Sequence, residues 1–151
     1  MAPVGKRSLT SSRMMATRCR SRNLPRLRTP TTKPDSNARW WIDEAHFAAD
    51  FAADIPRDEA EFMAISQVPI STDSFSHKVT NPAWKHKPTW YMVASEDRSI
   101  NPDQEHMMAK RAKAKTVEVK ASHVAYMSYP KETAKLIEEA AASAASMRAA
   151  G

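Results

Sequence analysis

The sequence predicts an α/β fold with two short parallel strands near its C-terminus. Residues 89–94 form a continuous apolar run of strand length, which is typical of a strand buried on both faces. A second β-favouring run covers residues 116–119, and a helical pattern follows each run. The order strand, helix, strand, helix joins parallel strands through a crossover. Ahead of this unit, residues 43–78 indicate two or three short amphipathic helices with no strand between them.

The first predicted region is residues 1–39, a basic segment without apolar periodicity. Ten Lys or Arg stand against one acid in residues 1–40, a net charge of +9, whereas residues 41–151 hold thirteen basic and sixteen acidic residues. Such a segment buries too little surface to offset the entropy of ordering, so we expect it to be largely disordered. A transit-type leader and a nucleic-acid-binding arm are open alternatives. We favour a start or reading frame that differs from that of the original gene.

Charge and cysteine content limit the function classes. Because the basic charge belongs to the first region, the rest is a poor candidate for nucleic-acid binding. Cys19 is the single cysteine, and the histidines show no metal-ligand spacing, so we expect no metal and no cofactor. No run reaches the roughly 18 apolar residues of a membrane helix. We therefore expect a soluble protein in a reducing cytoplasm.

The second predicted region, residues 40–88, holds the short helices. Asp43 begins the first one, which places Phe47 and Phe51 one turn apart on the same face. Pro56 suits the first position of the second helix. The apolar residues that could line a substrate pocket are Phe47, Phe51, Phe62, Met63 and Trp84. Apolar helix faces are more often plain core, and one face can serve both purposes.

The third predicted region, residues 89–148, carries the strands and the candidate chemistry. Loops beyond the carboxyl ends of parallel strands are where function concentrates, and these loops contain Asp97 and His123. Neighbouring strands lie about 4.8 Å apart, so the two groups can meet within hydrogen-bond reach. A carboxylate there fixes the imidazole tautomer and stabilises the imidazolium of a general base. The ordinary alternatives are a surface pair of Asp97 with Arg98 and a loop histidine without a catalytic role.

Three segments carry a family resemblance in chain order. Residues 90–103, WYMVASEDRSINPD, resemble the acid-bearing turn of bacterial α/β-hydrolase-fold esterases. Residues 120–130, KASHVAYMSYP, resemble the histidine loop of that family. Residues 41–56 are similar to the start of its helical cap, and the whole resemblance spans about residues 29–148.

The resemblance implies a partial α/β-hydrolase fold. Asp97 would orient His123, and the helical cap would shape a site for an ester or related carbonyl substrate. Ala121 stands where the family often has Gly, and Asn101 stands where it often has Pro. Neither departure removes a catalytic group.

A nucleophile elbow is missing from the sequence. The two glycines are Gly5 and Gly151, so no Gly-x-Ser-x-Gly turn can be built between them. In the family, the elbow and the oxyanion loop precede the cap, and residues 1–28 match nothing there. We therefore expect a C-terminal fragment of a serine hydrolase that is inactive alone. The alternative is a non-catalytic interaction module that pairs with another chain, or with its own copy, through an exposed sheet edge.

Overall fold

The computed structural model describes residues 32–34 and 39–149. The strands are β1 Thr32–Pro34, β2 Arg39–Ile42, β3 Ile70–Ser71, β4 Trp90–Ala94 and β5 Lys115–Val119. The helices are α1 Glu44–Phe51, α2 Arg57–Ile65, α3 Asp73–Ser76, α4 Pro102–Arg111, α5 Ala125–Ser128 and α6 Pro130–Ala149. A 3₁₀ turn covers Ala83–Lys85.

The parallel strand pair that the sequence predicts is present. β4 and β5 pair in parallel, with Trp90 opposite Lys115 and Ala94 opposite Val119. Val93 and Ala94 are buried, whereas the first three residues of β4 are half-buried. The apolar run therefore forms a strand as predicted, and its burial is greatest at the carboxyl end, which leads into the acid-bearing loop.

Helix α4 connects the two strands and is closed at both ends by local hydrogen bonds. The Asn101 side chain accepts from the Asp103 N–H at 2.8 Å, which caps the first turn. At the other end the Ala114 N–H donates to the Ala109 carbonyl at 2.9 Å, while Lys113 adopts a φ of 51°. This is the Schellman arrangement, with lysine at the left-handed position that usually holds glycine. The caps set where the chain leaves β4 and where it enters β5.

A small antiparallel sheet accompanies the cap helices. β2 lies in its centre, with Trp41 opposite Lys33 of β1 and Trp40 opposite Ile70 of β3. The expectation that residues 43–78 contain no strand was therefore wrong. A two-residue strand such as β3 is too short to show alternation, and its pairing comes from tertiary contacts.

The basic first region meets this sheet at its end. Of residues 1–39, which we expected to be largely disordered, the structure describes Thr32–Pro34 and Arg39, and both lie in paired strands. The remainder of that expectation concerns residues 1–31 and 35–38, which lie outside the described part. Strands can pair through their backbone groups without any apolar periodicity, so the sequence pattern does not reveal that these residues are paired.

The two cap helices pack through small residues around one aromatic ring. Phe47 is 3% exposed and lies in a cluster with Ala60 and Ala64. Val124, from the histidine loop, belongs to the same cluster. Pro56 precedes α2 as its N-cap rather than occupying its first turn. The cap region therefore shares its core with the loop that carries His123.

Helix α6 follows the histidine loop and covers β4. Thr133, Leu136 and Ala140 are half-buried at helical spacing, while Ile137 is exposed. The Thr133 hydroxyl lies 3.6 Å from the sulfur of Met92 in β4. Among the described helices, none is both long and apolar enough to cross a membrane.

We predict that Phe47→Ala destabilises the protein, because it empties the centre of the cap cluster. The free energy of unfolding should fall by about 3 kcal/mol in urea denaturation followed by tryptophan fluorescence. Phe62→Ala is the matched control, since Phe62 is 66% exposed. It should change the free energy of unfolding by less than about 1 kcal/mol. Equal effects of the two substitutions would contradict the packing described for α1 and α2.

Candidate active site

The acid-bearing turn begins where β4 ends. The Asp97 N–H donates to the Ala94 carbonyl at 3.1 Å, which closes a tight turn. Asp97 Oδ1 then accepts the backbone N–H groups of Ser99 at 2.6 Å and Ile100 at 3.0 Å. Asp97 is only 2% exposed. Its carboxylate is therefore held by its own loop before any other side chain is considered.

Backbone hydrogen bonds continue from the strands into the two loops. The Ser95 N–H donates to the Val119 carbonyl at 2.9 Å, and the Glu96 N–H donates to the Ala121 carbonyl at 3.1 Å. These bonds lie one and two residues beyond the last residue of β4. The acid turn and the histidine loop therefore stay side by side after the regular strands end.

His123 and Asp97 form a direct hydrogen bond. Nδ1 of His123 lies 2.7 Å from Oδ2 of Asp97, and the imidazole side chain is 29% exposed. An ionised carboxylate only accepts, so the proton of this bond belongs to Nδ1. Nε2 is then the nitrogen that can take a proton from another group. The surface pair of Asp97 with Arg98 is not formed, since Arg98 donates to the Ala49 carbonyl instead.

The environment of Asp97 favours its ionised form. Burial raises the pKa of this carboxyl, but the hydrogen bond with His123, the Ile100 N–H and the Glu105 side chain together outweigh it. The pKa of Asp97 ends below its usual range. At neutral pH the group beside His123 is therefore a carboxylate.

A second buried carboxyl, Glu105 of α4, lies next to Asp97. Its Oε2 accepts the Ala94 N–H at 2.9 Å, and the residue is 5% exposed. Burial, followed by the hydrogen bond with Asp97, raises the pKa of Glu105 to about 7. Glu105 was not among the residues that the sequence singled out. The signal for its burial is faint: it lies four residues before Ala109, on the inward face of α4.

The end of α1 is bonded to both loops. The Ser99 hydroxyl donates to the Asp50 carbonyl at 2.9 Å, and the Ser122 N–H donates to Oδ2 of Asp54 at 3.0 Å. The Ser122 hydroxyl donates to the other oxygen of Asp54. Burial raises the pKa of Asp54, but these bonds outweigh it and the pKa ends below the usual value. Sequence reasoning missed Asp54, because a contact between residues 68 positions apart leaves no local pattern.

The predicted pocket residues lie in different places. The Phe51 ring lies against the His123 ring, with centroids 4.6 Å apart, and Phe47 packs behind Phe51 at 4.9 Å. Met63 lies at the edge of the cap cluster, and Phe62 is exposed. The Trp84 ring lies beneath the guanidinium of Arg111, 5.0 Å away. Of the five residues, the ring contacts thus bring Phe51 directly to His123.

Two cavities flank the Asp97–His123 pair. One, of about 350 Å³, is lined by residues that include Asp54 and Ser122. The other, of about 290 Å³, has Glu105 and His123 on its polar side and Leu136 on its apolar side. Within the described residues, no group of three or more His, Cys, Asp or Glu is placed to hold a metal ion.

Three of the nearby serine hydroxyls are engaged elsewhere. Ser95 donates to the Val119 carbonyl at 3.2 Å, Ser99 to the Asp50 carbonyl, and Ser122 to Asp54. Each hydroxyl is thus a structural donor between loops. None of these three donates to His123.

Parallel strands joined by a helical crossover, with a buried carboxylate and a histidine in the loops at their carboxyl ends, define an α/β protein. The chain belongs to the alpha/beta hydrolase family, whose sequence profile matches residues 1–136. No curated protein matches the chain. The fold class expected from the sequence is thereby confirmed. The expectation that residues 1–28 match nothing in the family was wrong, since the matched region begins at residue 1.

We predict that Asp54→Ala loosens the histidine loop. The Ser122 N–H loses its acceptor, so its amide hydrogen should exchange with solvent at least about tenfold faster in exchange experiments read by NMR. Asp58→Ala is the matched control, since Asp58 is exposed in the first turn of α2 and bonds to no loop of the site in the structure. Unchanged exchange at Ser122 in the Asp54 variant would show that the bond does not hold the loop.

Proposed function

We propose that this chain supplies the catalytic acid and base of a cytoplasmic serine hydrolase acting on esters or related carbonyl compounds. The observation that carries the proposal is the 2.7 Å bond between Asp97 and His123, with the Asp97 side chain 1% exposed. A carboxylate held by two backbone N–H groups cannot turn away from the imidazole without losing them. The pair therefore meets the geometric requirement for an oriented general base.

In the proposed reaction, Nε2 of His123 takes the proton of a serine hydroxyl while the serine oxygen attacks the carbonyl carbon. Asp97 stabilises the imidazolium that forms. The imidazolium then returns the proton to the leaving alkoxide, and an acyl-serine remains. Water, deprotonated by His123 in turn, hydrolyses the acyl-serine and releases the acid.

The nucleophile must come from outside the described loops. Residues 6–150 contain no glycine, and a nucleophile elbow requires glycine on both sides of its serine. We propose that the serine and the oxyanion donors are supplied by a separate segment or chain with the family's N-terminal half. The chain by itself then lacks the groups that bond to the carbonyl in the transition state.

The cap supplies the apolar side of the substrate site in this proposal. Phe51 presents its ring beside the imidazole, and Phe47 supports that ring from the cap core. An ester with an apolar acyl or alkyl group fits such a wall. Met63, Phe62 and Trp84 remain predicted residues of the substrate pocket, and they lie farther from the imidazole than Phe51 does.

We predict that esterase activity appears only on complementation and depends on His123. The full chain alone should hydrolyse a p-nitrophenyl ester no faster than buffer. Mixed with the separately expressed N-terminal half of a family esterase, it should gain a rate that His123→Ala lowers by about 10³-fold or more. Asp97→Asn should give a loss of similar order, because the imidazole then adopts the wrong tautomer.

The matched control is His106→Ala. His106 lies on α4, outside the loops of the site, and pairs with Glu118 of β5 at 3.1 Å. This variant should keep the complemented rate. A complemented protein that retains its rate after His123→Ala would overturn the proposal.

A second candidate function is a non-catalytic interaction module. Among the described strands, β4 and β5 pair only with each other, so each has one edge without a strand partner. Several large apolar residues of the cap region are also exposed. They include Phe62, Ile65, Val68, Ile70, Phe75 and Val79. Such a surface favours association with another copy or with the missing half of the sheet.

We predict self-association from these edges and apolar side chains. Sedimentation velocity should show dimers or larger species whose fraction rises with protein concentration, because association follows mass action. Adding the family's N-terminal half should reduce self-association if it covers the same edge. A compact monomer at every concentration would contradict the interaction module.

A further inference from the structure

We propose that Glu105 is a positioning residue that holds its carboxyl proton up to near-neutral pH and donates it to Asp97, so that the Asp97 carboxylate stays directed at His123. The catalytic meaning of this contact rests on the proposed function. The proton arrangement itself is a property of the resting chain.

The position of Glu105 is built by two elements. Its backbone belongs to α4, and its side chain reaches β4, where Oε2 accepts the Ala94 N–H at 2.9 Å. A protonated carboxyl has one oxygen that accepts and one that donates. Since Oε2 is the acceptor, the other oxygen carries the proton in this proposal and donates it to Asp97, which lines the same cavity.

The supply of donors decides which carboxyl keeps the proton. Asp97 receives two backbone N–H groups and the imidazole, whereas the hydrogen-bond donor to Glu105 is a single backbone N–H. Two adjacent buried carboxyls do not both ionise unless cations compensate them. Asp97 is therefore the charged member, in line with its lowered pKa and with the raised pKa of Glu105.

The described residues that line the cavity beside Glu105 include no lysine or arginine. The titratable groups that share its cavity are Asp97, His123, Tyr91 from β4 and Tyr126 from α5. Both tyrosines are neutral at pH 7 in their ordinary state. Burial and the nearby carboxyls raise the pKa of Tyr91 further, so it supplies no compensating charge. The His123 imidazole is the one group there able to become a cation, and it pairs with Asp97.

The consequence for His123 is electrostatic. With Glu105 protonated, Asp97 is the one carboxylate that lines this cavity, and with Glu105 ionised there are two. A second negative charge stabilises the imidazolium relative to the neutral ring. An imidazolium cannot accept the proton of a nucleophile, so a protonated Glu105 favours the basic form of His123.

The test is a titration of the full chain by NMR, with ¹³C-labelled glutamate carboxyls and the His123 ring followed from pH 3 to pH 9. One glutamate signal should titrate near pH 7, and Glu105→Gln should remove it. Glu59→Gln, at an exposed position in the first turn of α2, should leave that signal in place.

The His123 titration separates positioning from mere packing. Glutamine keeps both an acceptor for the Ala94 N–H and a donor for Asp97, so Glu105→Gln should move the His123 midpoint by less than about 0.3 pH units. Glu105→Ala removes the donor, leaves Asp97 more basic and should raise the midpoint by about half a unit or more. If the alanine variant does not fold, the wild-type and glutamine titrations still decide.

The proposal is overturned if every glutamate signal titrates below about pH 5.5. It is also overturned if Glu105→Gln lowers the His123 midpoint by a full unit, since Glu105 was then already ionised. These titrations need neither a nucleophile nor a substrate. A negative result in the titrations can therefore be distinguished from a negative result in the complementation assay, which is decided by His123→Ala.

Discussion

In the parallel ladder between β4 and β5, backbone hydrogen bonding extends past the strands to Ser95 and Glu96. This extension is the constraint on which the site depends. It holds two loops from distant parts of the chain side by side, and Asp97 and His123 then need only short reaches to meet. A shift of one residue in the register would move both loops relative to each other and turn alternate side chains to the other face.

The site also depends on hydrogen-bond donors to its carboxylate, because a buried carboxylate is stable only where such donors replace the water it has lost. Asp97 has such donors in its own turn, so it is ionised without needing the imidazole to be charged. Glu105 has fewer donors, and burial shifts it toward the neutral form. In the proposed arrangement Asp97 is thus the acceptor and Glu105 the donor, because Asp97 reaches two backbone N–H groups and Glu105 reaches one. The cap adds a third support, since Asp54 fixes the residue before His123.

The part of the fold that sequence reasoning could predict is the part with local signals. The apolar run of β4, the asparagine cap of α4 and the loop positions of Asp97 and His123 are all visible in short windows. The β1–β2–β3 sheet and the bond from Asp54 to Ser122 were not predicted, because they join segments that carry no periodicity or lie far apart in sequence. The burial of Glu105 was missed for a different reason: in a helical first turn, acidic residues are expected to face water.

The strands and loops that carry the acid and the base lie within residues 89–128 and are supported by Asp54 of the cap region. A nucleophile elbow, in contrast, needs glycines that residues 6–150 do not contain. An Asp–His pair is stable through its own hydrogen bonds and does not require a serine beside it. In the proposed reaction, the rate therefore depends on what is brought to Nε2. Since Nδ1 is committed to Asp97, only a group that approaches the opposite nitrogen of the ring can be activated. Access to Nε2, more than the strength of the pair, then decides which chemistry the proposed site supports.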